Sequence, residues 1–423
     1  MKKIVLSLIL RFFTYIFIFT NFIYFLSTTK NSNFIPSNFF MTTYENKYSN
    51  NAVAKVGTFI TDNNDNIEET IINFIQNVFS IRNQSFISGN VEELYNFYDI
   101  NQTFSAYSLK HEFKRIAYLR DWASERNITF KNIESNLTLK DLKIKDGLYS
   151  LILLEEYKID YFYNDNPEES NTFAIQLVHN LELKNNNTSF VINKDYYEDY
   201  FKSGLNKYDF NLTEKNIPTP KNRIKIFNFN IEDNPISSEN YNRLKAVNYA
   251  NKYSGISFAS IDENNMNYSM YVSGDKNSAN FISQCLSDKT EGGGLKQDKD
   301  WSYIITKSNK VKASSSWIKN EDLLDYLLKS NKGKLVYSGD LENLTNIKIA
   351  MGDLIIFKTN RHIDGIGIIT GFDSNNYPLI NTNSINTYKA PFDLGFGGTD
   401  INFYILSIIN WNKKLYLSNY ILI

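Results

Sequence analysis

The pattern of apolar and polar residues divides the chain into regions with different periods. Residues 66–82 carry apolar side chains on one face of a predicted helix, and further helical pieces follow it. From Ile128 onward the period changes to that of strands, with apolar and aromatic runs at 149–163 and 172–183. Helices followed by long strands predict a first α+β domain over residues 61–205.

A second set of elements follows a polar connection. Residues 206–236 are rich in Asn and Lys and contain several prolines, which predicts a linker. Predicted helices then begin at Ser238, which we expect to cap the first of them, at Ser278 and at Glu321. Apolar strands complete the pattern, so residues 237–412 predict a second α+β domain.

The N-terminal residues have the design of an export or anchoring segment. Two lysines precede an apolar stretch that Arg11 interrupts and that ends at Leu26. Because no cleavage site of small residues follows Leu26, residues 1–30 predict a membrane anchor in preference to a cleaved signal peptide. Residues 31–60 are polar and predict a linker. Either interpretation places the rest of the chain outside the cytoplasm, membrane-anchored or secreted.

Composition narrows the classes of function. The formal net charge is -1, whereas a nucleic-acid-binding protein is expected to have a basic face. Cys285 is the single cysteine, and the histidines are His111, His179 and His362. Because these residues form no Cys/His cluster in the sequence, we expect neither a zinc site nor another cofactor. His111 and His179 have no sequence neighbours that would predict a catalytic dyad, so we expect both to be structural.

The stretch from Asn277 to Leu286 predicts a helix whose N-terminus could support chemistry. A helix N-terminus offers free N–H groups and partial positive charge, which suit a nucleophile and an oxyanion. Ser278 occupies this position. Serine is also one of the best N-cap residues, so a capping role, worth about 1 kcal/mol, is the structural alternative.

The C-terminal half resembles a known family at several points in the right order. The matching segments are Tyr241-Asn-Arg-x-x-Ala-x-x-Tyr-Ala, Asn280-Phe-Ile-Ser-Gln-Cys-Leu, Trp301, Ser314-x-Ser-Trp317, Gly352-Asp-Leu-Ile and Ile368-Ile-Thr-Gly. They resemble the family called "putative amidase domain" of exported bacterial proteins, a relative of the NlpC/P60 and CHAP cysteine peptidases. The resemblance implies a papain-like α+β fold and a cysteine-type amidase activity. The first domain is similar, in layout only, to cystatin-like and NTF2-like half-cones.

The sequence departs from this family at the residues that the resemblance implies to be catalytic. The family places its nucleophilic cysteine where this chain has Ser278, and its histidine base where this chain has Gly365. The family's third polar residue corresponds to Asn383. Cys285 falls on the apolar face of the helix, so we expect a core thiol. His362 lies shortly before Gly365, and a bulge or a loop shift there would make it a displaced base.

Three hypotheses about function follow. The first is a catalytically degenerate amidase-like protein of the cell envelope, a pseudoenzyme that binds the peptide or glycan of cell-wall peptidoglycan without cleaving it. The second is an active amidase or peptidase that uses Ser278 with His362. The third is a structural or partner-binding surface protein whose working part is the first domain. Substitution of both catalytic positions favours the first.

Overall fold

The structure is a computed structural model that describes residues 55–56, 65–186, 189–218, 224–225, 227–232, 241–258, 265–269, 276–359, 362–396 and 401–409. The chain divides into two units, Met1–Tyr44 and Glu45–Ile423, and the described residues all lie in the second. The predicted anchor at 1–30 and most of the predicted linker at 31–60 lie outside the described residues. Within the described part of the chain, no helix is both long and apolar enough to cross a membrane.

The N-terminal region, residues 55–207, contains two long helices and a set of long strands. Its helices are α1 (Asp65–Ser88) and α2 (Thr103–Glu125), and 3-10 turns occupy Glu92–Phe97 and Lys202–Lys207. Its strands are β1 (Lys55–Val56), β2 (Ile128–Lys145), β3 (Leu148–Tyr163), β4 (Asn166–Asn185) and β5 (Phe190–Tyr196). β2 to β5 pair in antiparallel order along the chain, and β1 pairs in parallel with β2.

Helical and strand periods both direct apolar side chains into one core. Ile71 and Ile75 lie one turn apart on α1 and are buried. Ile133, Ile159 and Phe173 align across β2, β3 and β4 and are buried in the same core. The alternation of inward and outward residues along each strand therefore matches the helical face packed on it.

The C-terminal region, residues 229–409, begins with helices and ends with most of its strands. Its helices are α3 (Arg243–Lys252), α4 (Lys276–Ser287), α5 (Ser315–Ile318) and α6 (Asn320–Lys329). Its strands are β6 (Phe229–Ile231), β7 (Tyr303–Ile305), β8 (Val311–Ala313), β9 (Gly333–Gly339), β10 (Ile347–Ile349), β11 (Leu354–Lys358), β12 (Ile363–Phe372), β13 (Pro378–Asn381), β14 (Thr387–Tyr388), β15 (Ala390–Pro391) and β16 (Asn402–Ile408).

The main sheet of this region has the strand order β15-β13-β12-β11-β16-β9. The central strand β11 is apolar on both faces. Leu354 and Ile356 belong to the core shared with α3, α4 and α6, whereas Ile355 and Phe357 belong to a second, aromatic-rich core. A strand that is buried on both faces has a continuous apolar sequence, as the residues from Leu354 to Phe357 do.

The two regions share a sheet and a hydrophobic core. Strand β14 pairs antiparallel with β4, with Thr387 opposite Ile175, and so adds a C-terminal strand to the N-terminal sheet. Ile385, Ala390 and Leu394 are buried in the core of the N-terminal region. The segment around β14 therefore belongs to both regions.

Buried carboxylates of the C-terminal region are bound by donors of the N-terminal region. Asp393 pairs with Arg126 and accepts a hydrogen bond from Trp122 Nε1 at 3.2 Å. Asp373 accepts hydrogen bonds from the hydroxyls of Tyr161 at 2.9 Å and Tyr163 at 2.7 Å. Because an unpaired buried carboxylate is costly, each region stabilises the other at this junction.

The predicted α+β character is confirmed, but two helix starts were wrong. Asn242, not Ser238, caps α3, since its side-chain oxygen accepts a hydrogen bond from Lys245 N at 2.9 Å. Ser238 itself lies outside the described residues. Helix α4 begins at Lys276, so Ser278 lies within its first turn instead of before it.

Candidate functional site

The first turn of α4 is tied to strand β12 through Ser278. This residue is 0% exposed. Its hydroxyl accepts a hydrogen bond from Ile366 N at 2.8 Å and donates one to Ile366 O at 3.1 Å. One side chain thus satisfies both main-chain groups of a buried strand residue. The capping interpretation of Ser278 was wrong, because its hydroxyl binds a strand and not the free N–H groups of its own helix.

The inner face of α4 is apolar. Phe281, Ile282, Cys285 and Leu286 are buried in the core shared with β11 and β12. Burial raises the pKa of the Cys285 thiol well above its usual value, so the sulfur stays protonated and unreactive. The predicted core thiol is confirmed.

Two segments of the family resemblance that lie far apart in sequence meet in space. The Tyr241 hydroxyl donates to Gly352 O at 2.9 Å, and Arg243 binds the Asp353 carboxylate at 2.6 Å. Arg243 also donates to Ile408 O at 2.5 Å. These contacts anchor the start of α3 to the end of the loop before β11, so this motif pair is structural.

A second pair of motifs holds α4 from its other side. Trp317 Nε1 donates to Asn280 Oδ1 at 2.8 Å, and Trp301 Nε1 donates to Ser283 Oγ at 2.9 Å. Asn280 and Ser283 lie one helical turn apart, on the same side of α4. The buried indole rings therefore fix the orientation of the helix that carries Ser278.

The structure brings together the positions that the family resemblance marks. Gly365 directly precedes the strand residue that binds Ser278. A Cβ atom at Gly365 would lie 3.8 Å from the hydroxyl of Ser384, next to Asn383. Asn383 in turn accepts a hydrogen bond from Asn277, next to Ser278. Three neighbouring positions thus hold a hydroxyl, a glycine and a carboxamide, and a base is missing from them.

His362 lies apart from this arrangement. Its side chain is 53% exposed, and its Nε2 pairs with Asp364 at 2.6 Å. A bulge at Asp364 interrupts the pairing of β12 with β11, since Phe357 lies opposite Gly365 and Lys358 opposite Ile363, but the imidazole stays at the surface whereas Ser278 is fully buried. Proton transfer needs contact at about 3 Å. The structure therefore does not bring Ser278 and His362 together as the displaced-base hypothesis requires.

The other two histidines have partners that their sequence neighbours do not reveal. His179 lies between two carboxylates, with Nε2 3.1 Å from Glu155 and Nδ1 3.0 Å from Asp195. Burial alone would lower the pKa of His179, but Asp195 and Glu155 raise it to about 9. His111 pairs with Asp199 at 2.9 Å. His179 is fully buried, so this arrangement has no access to a substrate.

A small cleft lies beside the first turn of α4. It is lined by Tyr253, Asn265, Tyr268, Ser269, Asn277, Asn280, Phe281, Gln284 and Asn383. Its volume is about 10 Å³, enough for about one water molecule. These lining residues carry no formal charge and present mainly carboxamides and hydroxyls, which can donate and accept hydrogen bonds.

Sequence reasoning missed most of these lining residues. Asn277, Asn280 and Gln284 have the spacing i, i+3 and i+7, which places them on one face of α4. That spacing is a signal that the sequence contains. The arrangement suits recognition of a neutral amide group more than bond cleavage, since a serine hydroxyl needs a base to become a nucleophile. In the described part of the chain, no group of His, Cys, Asp and Glu is arranged to hold a metal ion.

Residues 240–406 match the family model described as Putative amidase domain. This match supports an amidase-like domain in the C-terminal region, in agreement with the resemblance of its motifs. Comparison with curated proteins and with solved structures found no match.

Proposed function

We propose that the amidase-like domain binds the peptide or glycan of cell-wall peptidoglycan without cleaving it. The observation that supports this most directly is the state of the Ser278 hydroxyl, which is buried and hydrogen-bonded to both main-chain groups of Ile366. To act as a nucleophile it would have to leave these bonds and find a base. Gly365 and Asn383, at the positions of the family's other polar residues, supply none.

The cleft beside α4 supports an amide-containing ligand. Peptide bonds and acetamido groups each present one N–H donor and one C=O acceptor, and a carboxamide side chain can pair with both. Gln284 lines this cleft, and its Oε1 accepts a hydrogen bond from the Tyr249 hydroxyl at 2.8 Å, so its Nε2 amide is the donor that would meet a ligand carbonyl. Because the cleft holds only about one water molecule, ligand entry requires its lining side chains to move apart.

The same proposal includes a fold assignment for each region and a location outside the cytoplasm. Helix α4 packed on an antiparallel sheet supports a papain-like, NlpC/P60-related fold for residues 237–412. Helices packed on the antiparallel strands β2 to β5 support an NTF2-like or cystatin-like half-cone for residues 61–205. We place the protein outside the cytoplasm through the segment at 1–30. Protease digestion of intact cells that express a C-terminally tagged chain tests this placement.

Binding to peptidoglycan tests the central proposal. We expect the purified full chain to co-sediment with purified peptidoglycan and to bind soluble muropeptides that stay intact by mass spectrometry. Gln284→Ala should weaken muropeptide binding by about fivefold, since one hydrogen bond to a ligand is worth roughly 1 kcal/mol. Gln297→Ala is the matched control: Gln297 also makes two hydrogen bonds in this region but does not line the cleft.

The possible outcomes separate the three hypotheses. Equal weakening of muropeptide binding by Gln284→Ala and Gln297→Ala would show that the ligand binds outside the cleft. Muropeptide cleavage by the wild type that Ser278→Ala abolishes would support the active hydrolase. No retention on peptidoglycan would favour a protein that binds another partner.

A further inference from the structure

A continuous series of hydrogen bonds connects the first turn of α4 to the N-terminal sheet. In order, the donors and acceptors are Trp317 Nε1 to Asn280 Oδ1 (2.8 Å), Asn280 Nδ2 to Asn277 Oδ1 (3.0 Å), Asn277 Nδ2 to Asn383 Oδ1, Asn383 Nδ2 to Asn386 Oδ1 (2.7 Å), Asn386 Nδ2 to Gln176 Oε1 (2.8 Å) and Gln176 Nε2 to Gly255 O (2.6 Å). We call this series the carboxamide chain. Each carboxamide in it accepts through oxygen and donates through nitrogen, so the bonds point one way and polarise one another.

Gln176 is the member of the carboxamide chain that the N-terminal region contributes, and several contacts hold it in place. It follows Ile175 on β4, where β14 pairs with that strand. Its main-chain N–H also donates to Asn386 O at 2.9 Å. Gly255 closes the other side of Asn386: its φ is +76°, and a Cβ atom there would lie 2.1 Å from Asn386 Nδ2. Asn386 is therefore held between a strand of one region and a loop of the other.

We infer that Gln176 is a positioning residue of the amidase-like cleft, and that the N-terminal region is a required part of that site. Gln176 orients Asn386, which orients Asn383, and Asn383 binds Asn277 in the first turn of α4. Asn383 and Asn277 both line the cleft. The inference deepens the proposed function and rests on it for ligand binding. The coupling between the regions is measurable without any ligand.

Substitutions on β4 offer a matched comparison. Gln176→Ala removes the side chain from the carboxamide chain, and Gln176→Glu keeps the acceptor for Asn386 but loses the donor to Gly255 O. Asn171→Ala is the control, because Asn171 also lies on β4 and also bonds to the C-terminal region. Its Nδ2 donates to Ser374 Oγ at 2.8 Å, and its Oδ1 accepts from Ser374 N at 3.0 Å. It takes no part in the carboxamide chain.

Hydrogen–deuterium exchange of the full chain, read by mass spectrometry, tests the coupling. We expect Gln176→Ala to accelerate exchange in peptides covering 276–287 and 382–388 by about fivefold, since the net contribution of a hydrogen bond is roughly 1 kcal/mol. Gln176→Glu should also accelerate exchange, because its carboxylate keeps the bond from Asn386 but sets an oxygen against Gly255 O, and Asn171→Ala should leave both peptides unchanged. Equal acceleration by Asn171→Ala, or no acceleration in either Gln176 variant, would overturn the inference. If Gln176→Ala does not fold, Gln176→Glu against Asn171→Ala decides.

Muropeptide titration of the same variants separates this inference from the proposed function. With a wild type that binds muropeptide, Gln176→Ala should weaken binding by about the factor by which it accelerates exchange, whereas Asn171→Ala should not. Unaltered binding by Gln176→Ala would contradict a positioning role. If the wild type binds no muropeptide, the proposed function fails while the exchange measurements still decide the coupling.

Discussion

Two buried polar clusters among the described residues have opposite chemistry. The charged cluster lies in the N-terminal region and includes Arg82, Glu155, His179 and Asp195. The carboxamide cluster lies beside α4 in the C-terminal region and consists of Asn277, Asn280, Gln284 and Asn383. The first contains an imidazole between two carboxylates, an arrangement that elsewhere performs catalysis, and the second contains no titratable group.

The cleft beside α4 distinguishes the roles of the two clusters. Glu155 and His179 are fully buried. Burial alone would raise the pKa of Glu155, but Arg82 and His179 hold it well below its usual value. Perturbed pKa values often mark active sites; here they accompany a closed set of ion pairs whose role is stability. The carboxamide cluster lines the cleft. Asn277, Asn280 and Gln284 of this cluster lie on α4, the helix that the family resemblance implies to be catalytic.

The largest expected effect comes from breaking the charged cluster. Glu155→Gln should lower the free energy of unfolding by about 3–5 kcal/mol, because Arg82 and His179 would be left buried with too little counter-charge. Urea denaturation followed by circular dichroism measures this. Glu134→Gln on the neighbouring strand is the control, since its distant pair with Lys158 at 3.9 Å should be worth less than about 1 kcal/mol. A similar loss of unfolding free energy in Glu155→Gln and Glu134→Gln would contradict the stabilising role of the charged cluster.

The charged cluster should also make stability depend on pH. The pKa of His179 is raised from 6.5 to about 9 in the folded protein. Its contribution is therefore fully present below pH 6.5 and is lost as pH rises through 9. Between these values the wild type should lose up to about 1.4 kcal/mol of unfolding free energy per pH unit relative to His179→Gln. Parallel stability curves for the two proteins would show that His179 is neutral when folded.

A smaller effect should follow from removing the Ser278 hydroxyl. Ser278→Ala leaves the buried N–H and C=O of Ile366 without their partner, which should cost about 1–3 kcal/mol. Denaturant unfolding tests this against Ser308→Ala, a serine exposed in the same region. Amide hydrolysis should be absent from both variants and from the wild type. A loss of hydrolysis in Ser278→Ala alone would contradict a structural role.

The smallest expected effect is a gain of amide hydrolysis. It is also the sharpest test of the region around the carboxamide cluster. Ser278→Cys by itself should give no amide hydrolysis, because the family resemblance implies a histidine base at the position of Gly365, which has no side chain. Adding Gly365→His supplies the imidazole that the family resemblance implies; the nearest neighbours of a Cβ atom there, Phe357 Cδ2 and Ser384 Oγ, are 3.8 Å away, and slow but measurable hydrolysis is expected once the imidazole reaches the thiol. Release of product from muropeptides is the measurement, and Gly365→His alone is the control. Activity in Ser278→Cys alone would show that another group is the base.

Sequence patterns predicted single elements better than the contacts between them. The apolar face at 66–82 lies within α1, and the run at 149–163 lies within β3. The short strands β14 and β15 were not predicted, because two residues are too few to show a period. The start of α4 was misplaced because serine is a favoured cap residue, whereas the bond of Ser278 to Ile366 depends on how α4 packs on β12.

The sequence by itself determined the α+β character, the helical nature of α4 and the burial of Cys285, and its motifs indicated the amidase-like domain of the C-terminal half. Only the tertiary structure decided what the polar residues contact. His179 meets Glu155 across the neighbouring strands β4 and β3, and Gln176 meets Asn386, 210 residues further along the chain, where β14 pairs with β4. Local spacing encodes which face of an element is apolar, but the partner of a buried polar group depends on how whole elements pack.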